Sequence, residues 1–360
     1  MLSVTAADGT AAVLTGPVGQ PTAAGPGRYT QSVQSEGDGN FVAVVRCGTQ
    51  TSARIPFSVV AAAFVGLGDS YSSGEGASAY LPGANACDRA ATRTAWEPAV
   101  AVATGLSFDF AACAGAFISD FVNPSGAVAG EIPQLDHVSS AGRTRLVTLT
   151  VGGNDAGFYP VLTSCVTGPF APGRPGCAER DGAATEQALH ALTAPASVSC
   201  TQPPGQAPCQ PRPSLHALYE MIAARLGRGG TLVVVGYPRL FGSGAGACVA
   251  GRIAGLTYSI SGPDVSWLND VAGQLDQVIA GEVDVAEAEV ARTRPDVTIR
   301  FVAVDAAFDG HRICDAGTPW LRGLQFNGVI PSQSSFHPDD AGQRQIADVV
   351  VAALGRPGPA

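Results

Sequence analysis

The chain has no lysine: all 21 basic residues are arginine. This absence excludes a Schiff-base lysine, a Ser–Lys dyad and a phosphate-loop lysine reaching a nucleotide. Charge of either sign is scarce. Only 14% of the 360 residues are Asp, Glu, Lys or Arg, against about 25% in an ordinary soluble domain. The formal balance of −9 disfavours a broad grip on nucleic acid or on an anionic membrane. Long apolar runs are also missing. The longest, near Ile55 to Gly68, is interrupted by Pro56 and Ser58 and is too short for stable membrane insertion. No CxxC pair suggests zinc, no cluster suggests another metal or a cofactor, and no basic-then-apolar leader opens the chain.

What is present points to a folded, exported protein. The apolar share is 46%, so low charge does not mean disorder. The 45 glycines and 26 prolines make the chain loop-rich but not low in complexity. Of nine cysteines, Cys87, Cys113, Cys165, Cys177, Cys200, Cys209, Cys248 and Cys314 form an even set downstream of residue 64. We expect four disulfides, an oxidising compartment, secretion, and a leader already removed.

Two segments differ in pattern. Residues 1–62 hold short β-rich stretches such as Phe41–Arg46 and Ala53–Val60, separated by turn residues. They read as the closing hairpin of a small immunoglobulin-like β-sandwich whose earlier strands are missing, with Cys47 unpaired and no partner assignable to the segment. Residues 63–356 alternate strands with helices. The strand candidates Phe64–Leu67, Leu146–Val151, Thr231–Gly236 and Thr298–Val304 are near-continuous apolar runs, as buried parallel strands are. Helices are predicted over 94–104, 185–192, 214–226, 265–290 and 339–354. The segment 163–213, with four cysteines and many prolines, reads as a stapled loop. The fold class is α/β, with reactive groups gathered beyond the carboxyl ends of the strands.

Four short blocks stand at those ends: Gly68-Asp69-Ser70, Ala112-Cys113-Ala114-Gly115-Ala116, Gly152-Gly153-Asn154-Asp155 and Ser335-Phe336-His337-Pro338. Singly, Ser70 is equally a turn or cap serine, Asn154 an N-cap and Gly115 a turn glycine. Together and in order they supply acyl transfer. Ser70 needs a base, and His337 is the candidate. The oxyanion needs fixed donors: the N–H groups of Ser70 and Gly115 and the Asn154 amide. A Cβ at the glycines is expected to block that approach. His137, His190 and His216 read as structural, and His311, beside Asp309, as part of a structural loop.

These four ordered blocks resemble the SGNH, or GDSL-type, esterases and lipases over about residues 62–355. Gly68–Gly76, Gly236–Phe241, Gly310–Cys314 and Ser335–Pro338 resemble in particular the secreted actinobacterial branch. The resemblance implies a flavodoxin-like three-layer α/β/α sandwich with Ser70 as nucleophile. It also implies an oxyanion hole of Ser70, Gly115 and Asn154. No G-x-S-x-G elbow occurs, which separates the chain from the α/β-hydrolases. Many relatives carry an aspartate three residues before the histidine; here that position is Ser334. By resemblance to members with a Ser–His dyad, a main-chain carbonyl at Ser334 or Ser335 orients His337. Such a base is expected to titrate near its ordinary value of about 6.5. Spacing and resemblance imply the pairs Cys87–Cys113, Cys165–Cys177, Cys200–Cys209 and Cys248–Cys314, although eight cysteines allow 105 connectivities. The expected substrate is an acyl ester, lipid or short-chain, with carbohydrate acetyl esters as the alternative and a non-catalytic binding protein as the third reading. Tyr80, Phe117, Phe158, Tyr159 and Phe170, near the blocks, incline toward acyl chains.

Overall fold

A computed structural model describes residues 62–355 except 82–86, 126–127, 129, 168–174, 197–209, 245, 254 and 329, together with strand backbone within residues 2–59. Five parallel strands form the central sheet: β1 (Phe64–Gly68), β2 (Phe108–Phe110), β3 (Leu146–Thr150), β4 (Thr231–Val235) and β5 (Thr298–Val302). Their order is 2-1-3-4-5, the flavodoxin-like arrangement, in which the strand order reverses beside β1. The crevice at that reversal lies beyond the carboxyl ends of β1 and β3. Ser70 and Asn154 follow those two strands directly.

Period-two alternation explains why both faces are covered. Val65, Leu67, Val147, Leu149, Leu232 and Val234 enter one core, with helices α5 (Leu215–Arg225) and α6 (Gly262–Thr293). Phe64, Leu146, Val233 and Val235 enter the other, with α2 (Trp96–Thr104) and α7 (Asp340–Ala353). A strand whose successive side chains all find apolar partners has no polar face to show, hence the continuous runs in the sequence. The helices start where side chains can take their free N–H groups. Ser214 caps α5, Ser261 caps α6, and Asp339 accepts from Ala341 and Gly342 to open α7 directly after His337-Pro338.

Several expectations are corrected. The segment 163–213 is not simply a loop, because α3 (Phe158–Thr167) and α4 (Cys177–Ala191) occupy much of what is described of it. The predicted helix 185–192 is the second half of α4; Ala and Glu extend it back to Cys177, which the flanking proline and cysteine obscured. Strand β2, three residues at the sheet edge, was not anticipated; among the described residues its strand neighbour is β1. In the N-terminal segment Gly39–Cys47 pairs antiparallel with Ile55–Val59, as a hairpin should. It also pairs with Leu2–Ala6, so an earlier strand is present after all.

Candidate active site

Asp69 and Gly68 set the geometry of the first block. Gly68 has φ +126°, and a Cβ there would lie 2.5 Å from the Thr150 carbonyl, so only glycine lets β1 turn so close to β3. Asp69 then caps a one-turn helix, α1 (Ser70–Ser73), accepting from Tyr71 N–H at 3.0 Å. This places Ser70, 8% exposed, on the first residue of the turn.

The Ser70 hydroxyl meets His337. Nε2 of the imidazole lies 2.7 Å from Ser70 Oγ, and Nδ1 lies 2.9 Å from the Ser335 carbonyl oxygen. A carbonyl can only accept, so Nδ1 carries the proton and Nε2 faces Ser70 as an acceptor. Of the carbonyls of Ser334 and Ser335, it is that of Ser335 that contacts Nδ1. The Ser334 carbonyl instead accepts from His337 N–H at 3.4 Å, and its hydroxyl bonds Ser332.

Burial lowers the His337 pKa to about 4, outweighing the Ser335 and Gln333 carbonyls, which raise it. This corrects the expectation of about 6.5. That value considered only the missing carboxylate and left out desolvation of the imidazolium.

The other two blocks are tied to the first. Cys113 N–H donates to the Gly68 carbonyl, and Cys87–Cys113 is bridged. Asn154 Nδ2 donates to the Ala116 carbonyl at 2.9 Å, which leaves its second hydrogen free for another acceptor. Asp155 accepts from Ile118 N–H and pairs with Arg212; burial raises its pKa to about 6. The N–H groups of Ser70 and Gly115 have no partner among the described residues. Gly115 has φ +78°, and a Cβ there would meet no protein atom within 4 Å. Its positive φ favours glycine, and the side a Cβ would occupy is open, the side from which an oxyanion would approach.

Beneath Ser70 runs a network that sequence reasoning missed. Asp69 accepts from the hydroxyls of Tyr237 and Thr150, and Gly153 N–H donates to Tyr237 Oη at 3.2 Å. Tyr237 therefore links the first block to the third. Burial raises the Asp69 pKa to about 6 against those donors. The signal was available: a carboxylate one residue before a serine on a buried turn must find donors, and Tyr237 stands in a quoted block without a role. Glu97 lies fully buried under β1, bonded to Thr148 and held well above the carboxylate range by desolvation.

The remaining histidines are elsewhere. His311 stacks on Trp320 at 3.6 Å, and His137 contacts Asp109 at 2.8 Å. His216 lies between Ser214 (3.2 Å) and Glu282 (2.6 Å), which imitates a triad. Ser214 is 1% exposed and already caps α5, so no ester can reach it.

Cys165–Cys177 and Cys248–Cys314 are bridged as expected, while Cys200 and Cys209 lie outside the described residues, as does Phe170. Among the described residues no group of three or more His, Cys, Asp or Glu could hold a metal. None of their helices is long and apolar enough to cross a membrane.

No family model matches the chain. A lipase of Streptomyces rimosus is 31% identical over 282 residues, 78% of this chain and 82% of that protein. Lipase 1 of Streptomyces coelicolor is 30% identical over 78% of this chain and 82% of its own. Among solved structures, phospholipase A1 from Streptomyces albidoflavus NA297 is 30% identical with TM-score 0.56, covering 81% of this chain and 99% of that one. An extracellular lipase from Streptomyces rimosus is 28% identical with TM-score 0.55, covering 81% and 98%.

Proposed function

The chain belongs to the SGNH, or GDSL-type, family of serine esterases and lipases, and from this premise we propose that it hydrolyses acyl esters through an acyl-enzyme on Ser70. The observation that carries the assignment is the chain Ser335 carbonyl–His337–Ser70, with contacts of 2.9 and 2.7 Å. Nε2 takes the hydroxyl proton as Oγ attacks the ester carbonyl carbon. The tetrahedral oxyanion is received by the N–H groups of Ser70 and Gly115 and by the free hydrogen of the Asn154 amide; each such donor is worth about 10²–10³ in kcat. The imidazolium then protonates the departing alkoxide. Water attacks the acyl-enzyme by the same route, with His337 again the base. No step requires a metal or cofactor.

An apolar cavity of about 100 Å³ supports acyl chains over sugars. Tyr159, Leu162, Val166, Tyr258, Leu324 and Phe336 line it, and it lies against the residues that orient His337. Its apolar lining suits an acyl chain and offers few partners to a sugar's hydroxyls. No observation favours the acetyl-sugar reading. The extracellular relative and the three disulfides among the described residues support export. We take residues 63–356 as the catalytic unit and 1–62 as a separate β-module.

The test is hydrolysis of p-nitrophenyl esters from acetyl to palmitoyl by the protein and by Ser70→Ala. Activity confined to the unaltered serine supports the assignment, and activity retained without it refutes it.

A further inference from the structure

Phe336, between the residue that orients His337 and His337 itself, has φ +64°. A bulky residue in the left-handed region is sparsely populated and persists only where its surroundings hold it. The reversal it makes turns the Ser335 carbonyl back toward the imidazole two residues on. A chain that lacks the carboxylate three residues upstream depends on that turn.

Tyr71, the residue after Ser70, holds it. Its hydroxyl donates to the Phe336 carbonyl at 2.8 Å across 265 residues of sequence. The ring stands 5.0 Å from the His337 imidazole and 5.1 Å, edge-on, from Tyr237. The Tyr71 backbone is fixed at both ends: its N–H donates to Asp69, and its carbonyl accepts from Trp96 Nε1. Burial and the Asp69 charge push its phenol far above the usual range, so it remains a donor throughout the working pH.

We propose that Tyr71 is a positioning residue for the dyad: its hydroxyl locks the left-handed Phe336 peptide and so aims the Ser335 carbonyl at Nδ1 of His337. The proposal rests on the reading of Ser70 as nucleophile and His337 as base. It assigns to a tyrosine and a strained turn the orienting work that a triad aspartate would do. Phe336 itself needs no exposed role for this, being buried against Phe241.

Tyr71→Phe keeps the ring and removes only the hydroxyl. On p-nitrophenyl butyrate, kcat should fall about 10–100-fold with KM nearly unchanged, the size expected when a reacting group is misplaced by about 1 Å. In a His337→Ala background there is no imidazole to aim, so the same change should cost less than about twofold. An equal loss in both backgrounds would mean a merely structural tyrosine and overturns the proposal, as does an unchanged kcat. Two readouts need no activity, and so separate this proposal from the ester-hydrolase reading. In ¹⁵N-histidine spectra, His337 should be a single Nδ1–H tautomer in the unaltered protein and a mixture in Tyr71→Phe; one tautomer in both contradicts the role. Should Tyr71→Phe fail to fold, the unaltered protein still decides. Its Tyr71 hydroxyl proton should exchange slowly and show a nuclear Overhauser contact to Phe336, and fast exchange overturns the lock.

Discussion

Acidification is the perturbation that most sharply tests the environment of His337. Only the neutral imidazole can accept the Ser70 proton, so the rate follows the neutral fraction. The residue packs beneath Tyr71 and against Gly76, where a Cβ on that glycine would lie 2.9 Å from the His337 Cβ. Desolvation there brings the pKa down to about 4. At pH 5.5 such a base is ~97% neutral, whereas an unperturbed imidazole of about 6.5 is only ~9% neutral, a tenfold difference in rate. The sign is fixed: burial extends activity toward acid. Asp69, raised by burial to about 6, titrates in the same window and bonds residues beside Ser70. A rate profile alone therefore mixes two groups. The assay pairs kcat/KM from pH 3.5 to 8 with an NMR titration of the His337 ring proton. We expect the ring to titrate near pH 4, and any fall in kcat/KM near pH 6 then belongs to Asp69. A ring titrating near 6.5 would falsify the desolvation argument whatever the rate does.

Three further outcomes follow from particular contacts. Gly66→Ala would put a Cβ 2.2 Å from Glu97 Oε2 and 3.0 Å from the Phe108 ring. Overpacking of that kind costs about 1–3 kcal/mol, and a lowering of Tm by about 2–10 °C in a thermal melt is expected. Leu162→Trp fills the apolar cavity beside Ser335–Phe336. Butyryl and longer esters should lose rate relative to acetyl, and an unaltered chain-length profile means the acyl chain lies elsewhere. Asn154→Ala removes one oxyanion donor while Ser70 and His337 stay in contact, so kcat should drop about 10²–10³-fold with the melting curve little changed.

Much of the fold was legible because parallel strands buried on both faces leave continuous apolar runs, and four of the five stand out as such. Strand β2 was not, since Phe108-Asp-Phe110 is too short to show a period. In 163–213 the second half of α4 was read as helix over 185–192, whereas its first half and α3 were hidden by prolines and cysteines, although Ala, Glu and Gln over Cys177–Ala191 favour helix. Within the site, Ser70 and His337 were readable from the order of the blocks, and their 2.7 Å contact brings together what 267 residues of sequence separate. The Ser335 carbonyl was readable only as one of two. What selects it is the left-handed Phe336 and the Tyr71 hydroxyl, both consequences of tertiary packing. The low pKa of His337 was illegible for the same reason, because desolvation depends on what packs over a side chain. The arginine-only basic set fits this chemistry, since serine, imidazole and amide donors need no ammonium group.

The central claim is that one serine among many in this chain is the nucleophile. Brief reaction with a p-nitrophenyl alkylphosphonate, followed by mass spectrometry of the intact protein and of its peptides, tests it directly. The account predicts one phosphonyl group per chain, on the peptide containing Ser70, with loss of esterase activity in proportion and no label on Ser70→Ala. Labelling of another serine, Ser214 beside His216 included, or full esterase activity in the fully labelled protein, contradicts it.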